Sequence, residues 1–238
     1  NDDAITAIAT DGSLLPEPVA APGIVITPAQ RTDIWVDFSS FEAGTSVELN
    51  AADLFVQIGA GAAPALTGEV AATFNVIDSP AAPGSLATSL GSEPDFGSAD
   101  AVNPSSPKQF TLSTRRMTHW INNLEWDGRN AVELETVAAN SVEVWEFVNL
   151  SPMPHPMHLH GRSFRVTGRS WDEDGLAAAW QTIEAGVIET GLRDTVLIWP
   201  GQRVQITVPF AEHLGYFLYH CHILEHEDSG MMRNFRVI

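Results

Sequence analysis

The run His220-Cys221-His222 constrains this chain more than any other feature, because it asks one stretch of backbone to serve two places at once. In an extended strand, successive side chains leave opposite faces of the sheet. His220 and His222 then share one face and Cys221 points to the other. His158 and His160, separated by Leu159, share a face by the same rule. If the two histidine pairs face each other, four imidazoles converge on one pocket and Cys221 is aimed into a second pocket behind it.

The second pocket can be filled from nearby sequence. Cys221 is the only cysteine, so it forms no internal disulfide and its presence needs another explanation. His155 lies at odd parity from the His158/His160 pair and can reach the cysteine side. His226 follows in the loop after the strand, and Met231 comes five residues later. One thiolate, two imidazoles and a weak thioether form the ligand set of a blue-copper electron-transfer centre. Zinc more often takes four strong ligands in a tetrahedron. Six of the eight histidines fall in these two groups, a clustering that favours copper over chance. The other two, His119 and His213, read as ordinary structural or exposed residues.

Short strands separated by turn signals account for the rest of the chain. With 44% hydrophobic side chains and 18 glycines and 15 prolines spread along it, the chain is expected to be all-β. In residues 1–78 the strand-like runs are Ile24 to Ile26, Asp33 to Phe38, Ser46 to Leu49 and Ala72 to Ile77, too few for a closed barrel and without a histidine. Residues 79–107, rich in Pro, Ala, Gly and Ser, read as a linker. In 108–238 about eight strands are expected, at Gln109 to Ser113, Ser141 to Val148, Ser163 to Val166, Thr195 to Trp199, Val204 to Val208, Tyr216 to His220 and Arg233 to Val237 among others, enough for a complete Greek-key sandwich or barrel. Leu176 to Ala185 fits either a short helix or a loop.

Charge and hydropathy exclude several partners. The net charge of -18 rests on 30 acidic against 12 basic residues, and Lys108 is the only lysine. Such a surface repels nucleic acid and anionic membranes. It suits a soluble protein kept monodisperse by charge, or one adapted to salt. No apolar run approaches the roughly 20 residues of a membrane span. The opening Asn1-Asp2-Asp3-Ala4 looks like neither an initiator nor a signal peptide, so the chain is expected to begin in mid-protein.

His155-x-x-His158-x-His160 and His220-Cys221-His222-x-x-x-His226-x-x-x-x-Met231 resemble the third and fourth copper motifs of multicopper oxidases, and His220 to Met232 looks very like the same run in bacterial spore-coat laccases and copper-efflux oxidases. Ala9 to Gly12 and Arg31 to Val36 are similar to the later half of that family's middle domain, so the resemblance covers nearly the whole chain. It implies cupredoxin-like domains, the first incomplete, with a mononuclear type 1 copper on His155, Cys221, His226 and Met231. It also implies that His158 binds a type 2 copper and that His160, His220 and His222 bind the type 3 pair. The family's trinuclear site takes four more histidines from two His-x-His motifs in an N-terminal domain. Those motifs are absent here, so the missing half of the enzyme is an expected partner.

The implied activity is one-electron oxidation of phenols or aromatic amines, entering at the ring edge of His226, with dioxygen reduced to water. A metal-ion oxidase is the enzymatic alternative, although only five methionines are present and none forms a Met-rich insert. A non-catalytic blue-copper carrier would explain Cys221 but not its two flanking histidines. The resemblance implies that Glu227 relays protons to the cluster, the other reading being a solvated loop carboxylate in an acidic stretch with Glu225 and Asp228. Asp194 fits either an acceptor that orients a ligand imidazole or a turn residue. Trp120, Trp126, Trp145 and Trp199 are expected to pack the barrel. The same resemblance implies an extracytoplasmic location, periplasmic or secreted.

Overall fold

The computed structural model of the chain describes residues 5–51, 68–79, 84–92, 94–116, 118–172 and 177–238. The expectations placed on Asn1 to Ala4 and on Leu176 lie outside them.

In the last part of the chain two five-stranded sheets face each other. One carries strands β12(Thr195–Ile198), β10(His155–Leu159), β14(Gly215–Cys221), β15(Met232–Val237) and β8(Thr136–Val137), in that order. The other carries β11(Arg165–Trp171), β13(Gln202–Phe210), β9(Ser141–Asn149), β6(Lys108–Arg115) and β7(Thr118–Ile121). The inward residues of both sheets form one core around Phe110, Trp145, Phe147, Tyr219 and Phe235, all fully buried. Burial of such aromatic side chains is the main stabilising contribution to a sandwich of this kind.

Ten strands are described from Lys108 onward, against about eight expected. The additional pieces are short: β7 and the two-residue β8 carry too little periodicity to stand out. The sheets are also not wholly antiparallel. β6 runs parallel to β9, and β8 parallel to β15. After β7 the chain crosses to the other sheet at β8 and returns as β9, so it re-enters beside β6 in the same direction. The stretch that fitted helix or loop holds α1(Ala177–Gln181) and a 3-10 turn at Glu184–Gly186.

The first region holds a three-stranded sheet, ordered β2(Ser13–Ala21), β1(Ile5–Thr10), β3(Thr32–Trp35), and a separate hairpin of β4(Ser46–Ala51) and β5(Glu69–Asn75). Ile24 to Ile26 form no strand. Flanked by Pro22-Gly23 and Pro28, they make a loop whose Val25 N–H donates to the Gly186 carbonyl at 2.8 Å, while the Val25 side chain packs beside Trp180, Leu197 and Trp199. β3 stops at Trp35, short of the expected Phe38. The small core of this region, Ala7, Leu15 and Ala21, closes only with Ile188 from the later part of the chain.

Two tryptophan expectations fail. Trp126 is 41% exposed, and Trp199, although buried, packs with Trp180 and Leu197 outside the main core. Trp145 does fill the barrel, and Trp120 is half-buried. The expected linker lies against its neighbours: Leu90 N–H donates to Pro16 O, and Asn103 makes a paired bond with the Val144 peptide at 2.8 and 2.9 Å. No helix among the described residues is long and apolar enough to cross a membrane.

Candidate metal centre

β10 and β14 are antiparallel neighbours, with His158 opposite His220 and Met157 opposite Cys221. Because facing residues in a ladder share a face, this register puts the histidines on one side of the sheet and Cys221 on the other. His155, two positions before Met157, falls on the cysteine side.

On that side the Sγ of Cys221 lies 3.5 Å from the Nδ1 of both His155 and His226, and the two nitrogens are 3.1 Å apart. All three residues are buried. Met231 is fully buried as well, and its backbone is tied to both ends of the loop: Cys221 N–H donates to Met231 O, and Met231 N–H to His226 O, each at 3.0 Å. The loop is shaped by α2(Leu224–Asp228), which turns His226 back under the strand.

Burial pushes His155 down to about 3 and His226 to about 4, so both rings are neutral with a lone pair to offer. It pushes the Cys221 thiol up to about 12. Soft sulfur with two imidazoles in a dry site is a donor set that fits copper, and a bound cation would displace the thiol proton.

On the opposite face, the rings of His158, His160, His220 and His222 lie with centroids 4.9 to 5.6 Å apart. The Nε2 atoms of His160 and His220 are 3.0 Å apart. Burial lowers the pKa of both His160 and His220. The Nδ1 of His220 is 3.2 Å from a Glu227 oxygen. The Nδ1 of His158 is 3.0 Å from the Asp194 carbonyl, 2.9 Å from the Thr195 hydroxyl and 3.4 Å from the Asp194 carboxylate. These contacts place Asp194 beside the His158 imidazole, as the acceptor reading expects. Burial opposes its ionisation, but the bonds from His158, Arg31 and Thr195 outweigh that and hold its carboxyl far below the usual range.

His213 is exposed, as expected. His119 is not an ordinary bystander: its ring stacks on His226 with centroids 3.9 Å apart and planes at 24°, while its Nδ1 meets the Thr114 hydroxyl at 3.0 Å. It covers His226, which is only 3% exposed, so the expected open ring edge of His226 is absent. A lone histidine in a four-residue strand gave no signal of this. His119 also lines a cavity of about 420 Å³, together with Trp120, Trp126, Glu125, Glu227 and Asp228.

The family model of multicopper oxidases matches residues 101–238. A laccase of Bacillus stratosphericus is 32% identical over the whole of this chain, which covers 47% of that protein. One from Haloferax volcanii is 35% identical over 90% of the chain, covering 34% of that laccase. Among solved structures, McoA multicopper oxidase from Aquifex aeolicus superposes with a TM-score of 0.76 at 28% identity, over 98% of this chain and 49% of that one. The chain spans about half the length of these relatives or less. With two copper-compatible clusters on the two faces of β14 and a family match over the whole sandwich that carries them, the chain belongs to the multicopper oxidase family.

Proposed function

We propose that this chain is the copper-bearing C-terminal part of a laccase-like oxidase, taking single electrons from small aromatic reductants and using them to reduce dioxygen to water. The observation that carries the reading is the double use of β14. Three donor atoms stand within 3.1–3.5 Å on the Cys221 side, and four imidazoles converge on the other. Copper held by His155, Cys221, His226 and Met231 would supply a one-electron acceptor, and copper held with His158, His160, His220 and His222 would supply the site of dioxygen chemistry. Cys221 lies between His220 and His222 in the chain, so the two sites are joined by a short covalent route.

Trp120 and Trp126 line the cavity and suit an aromatic guest, and His119, which stacks on His226, lines it too. Electrons therefore enter across two stacked rings rather than at His226 directly. Glu227 both lines the cavity and sits 3.2 Å from His220, a position from which a carboxylate can pass protons inward while holding the imidazole. The three carboxylates at the cavity favour a second reading, oxidation of a metal cation. Against it, the described residues bring three donor atoms together only in the two clusters already described.

The rest of the trinuclear site is assigned to polypeptide outside this sequence, since this face offers four histidines and the relatives are about twice as long. An extracytoplasmic location is part of the same proposal. Copper content, visible absorption and oxygen uptake with a dimethoxyphenol or with ferrous ion test the reading together. Blue colour with phenol-driven oxygen uptake, once the complementary part is present, is expected. Copper-loaded protein without blue colour would defeat it, and turnover on ferrous ion alone would favour the second reading.

A further inference from the structure

The three-stranded sheet of the first region carries no metal-binding residue, yet it grips the segment Gly191 to Thr195 that holds His158. Thr10 Oγ1 donates to Leu192 O at 2.9 Å, Gly12 N–H to the same carbonyl at 3.0 Å, and Leu192 N–H to Ser13 Oγ at 3.2 Å. The approach is close on both sides, and at Gly191 the backbone conformation also favours glycine. A Cβ on Gly12 would stand 2.8 Å from Ser163 Oγ, and one on Gly191, whose φ is +84°, would stand 2.9 Å from Leu15.

At the end of this seam Arg31 clamps Asp194 with two bonds, Nη1 to Oδ1 at 2.8 Å and Nη2 to Oδ2 at 2.7 Å. The guanidinium is itself fixed, donating to Ala29 O at 2.7 Å and Asp11 O at 2.8 Å, while Asp11 Oδ1 accepts the Arg31 N–H at 2.7 Å. A planar fork on a carboxylate sets direction as well as distance.

The consequence reaches His158. Asp194 Oδ1, held by Arg31, accepts the Thr195 hydroxyl hydrogen at 2.9 Å. Having given up its only hydrogen, that hydroxyl can only accept from His158 Nδ1, 2.9 Å away, and so can the Asp194 carbonyl at 3.0 Å. The ring proton is therefore kept on Nδ1, and the Nε2 lone pair is left for the face shared with His160, His220 and His222.

We infer that Arg31 is a positioning residue for the oxygen-reducing copper site: through Asp194 and Thr195 it fixes the tautomer and direction of His158, so a region without ligands helps to set one. This rests on His158 being a copper ligand, as proposed above.

The test uses Arg31→Ala, Arg31→Lys and Thr195→Val. In copper-free protein, nitrogen-15 signals of the His158 ring are expected to show one tautomer in the parent and a mixture in Arg31→Ala and Thr195→Val. In the copper-loaded holoenzyme, these two variants are expected to lower copper affinity at the His158 face by about 10–100-fold and alter the type 2 electron paramagnetic resonance signal, with the blue band unchanged. Arg31→Lys, which keeps the charge but not the fork, should fall between. Unchanged ring signals and type 2 spectrum in Thr195→Val, or an equal loss at both copper sites in folded Arg31→Ala, would overturn the inference. A parent protein that binds copper without blue colour would instead defeat the copper reading, and the ring signals would still decide the positioning.

Discussion

The two faces of β14 are built to different degrees of closure. On the Cys221 face Cys221, His155 and His226 are buried, the thiol sulfur and the two Nδ1 atoms lie within 3.1–3.5 Å of each other, and all three residues come from a single sandwich. On the His220 face donors come as close, with 3.0 Å between the Nε2 atoms of His160 and His220, but His160 is exposed, His158 is half-buried, and one of the four is oriented from a different region of the chain. A site that only passes electrons gains from being dry and rigid, since little then has to reorganise. A site that must admit dioxygen and protons needs an open side and partners on it. Changes on the cysteine face should therefore stay local, while changes on the histidine face should depend on what surrounds it.

The sharpest way to break this comparison is Cys221→Ser. It removes the only thiolate, and blue absorption should vanish completely, because the colour comes from the copper–sulfur bond. Copper at the histidine face should remain, as read by its paramagnetic resonance. A mutant that stayed blue would show that the cysteine face is not the mononuclear site.

Next in size is Glu227→Gln. With the carboxylate 3.2 Å from His220 and reaching the cavity, its loss in an assembled enzyme should slow reoxidation by dioxygen by about 10²–10⁴-fold. Reduction of the blue centre by substrate should change much less. Stopped-flow traces that slowed equally in both steps would place Glu227 outside proton transfer.

Glu135→Ala should affect both faces alike. Glu135 is fully buried and takes Arg233 through 2.8 and 2.7 Å bonds and the Tyr219 hydroxyl at 2.8 Å. Tyr219 is two residues before Cys221 on β14. Removing the carboxylate strands a buried guanidinium, so stability in denaturant should drop by about 3–5 kcal/mol. A loss below about 1 kcal/mol would mean that solvent reaches Arg233.

Much of this was legible in the sequence, for a definite reason. Alternation along a strand is a local rule, so His158, His160, His220, Cys221 and His222 could be sorted to faces without knowing which strands pair. The reach of His155 to the cysteine side follows from the same parity, and the structure places it there. What was not legible depends on contacts distant in sequence. Nothing around His119 marks it as the ring that covers His226, and nothing around Arg31 points to Asp194, 163 residues on. Ile24 to Ile26 looked like a strand because apolar runs are buried by loops as well as by sheets, and here a loop buries Val25. Trp126 looked like core because aromatic residues usually are; its exposure makes sense as a cavity wall.

The smallest effect worth measuring is Ser151→Ala, and it probes how local the cysteine face is. Ser151 Oγ stands 2.6 Å from His155 Nε2 in a buried position. With His155 Nδ1 turned toward Cys221, the ring proton belongs on Nε2, and Ser151 Oγ accepts it. The hydroxyl passes its own hydrogen to Asn149 Oδ1 at 2.8 Å, and Asn149 in turn donates to Met153 O and Ile198 O. Every link of this relay comes from the sandwich itself, unlike the one behind His158, which ends on Arg31. Alanine leaves the Nε2 hydrogen without an acceptor and lets the ring choose the other tautomer, so copper affinity at the cysteine face should fall by about 10–100-fold. Competition with a chelator, followed by the blue band, would measure it, and Ser151→Thr should restore most of the loss because the hydroxyl is kept. Copper at the histidine face should hold its affinity. If both faces weakened by the same factor, the bond would be supporting the fold rather than the ligand, and the independence assigned to the cysteine face would be lost.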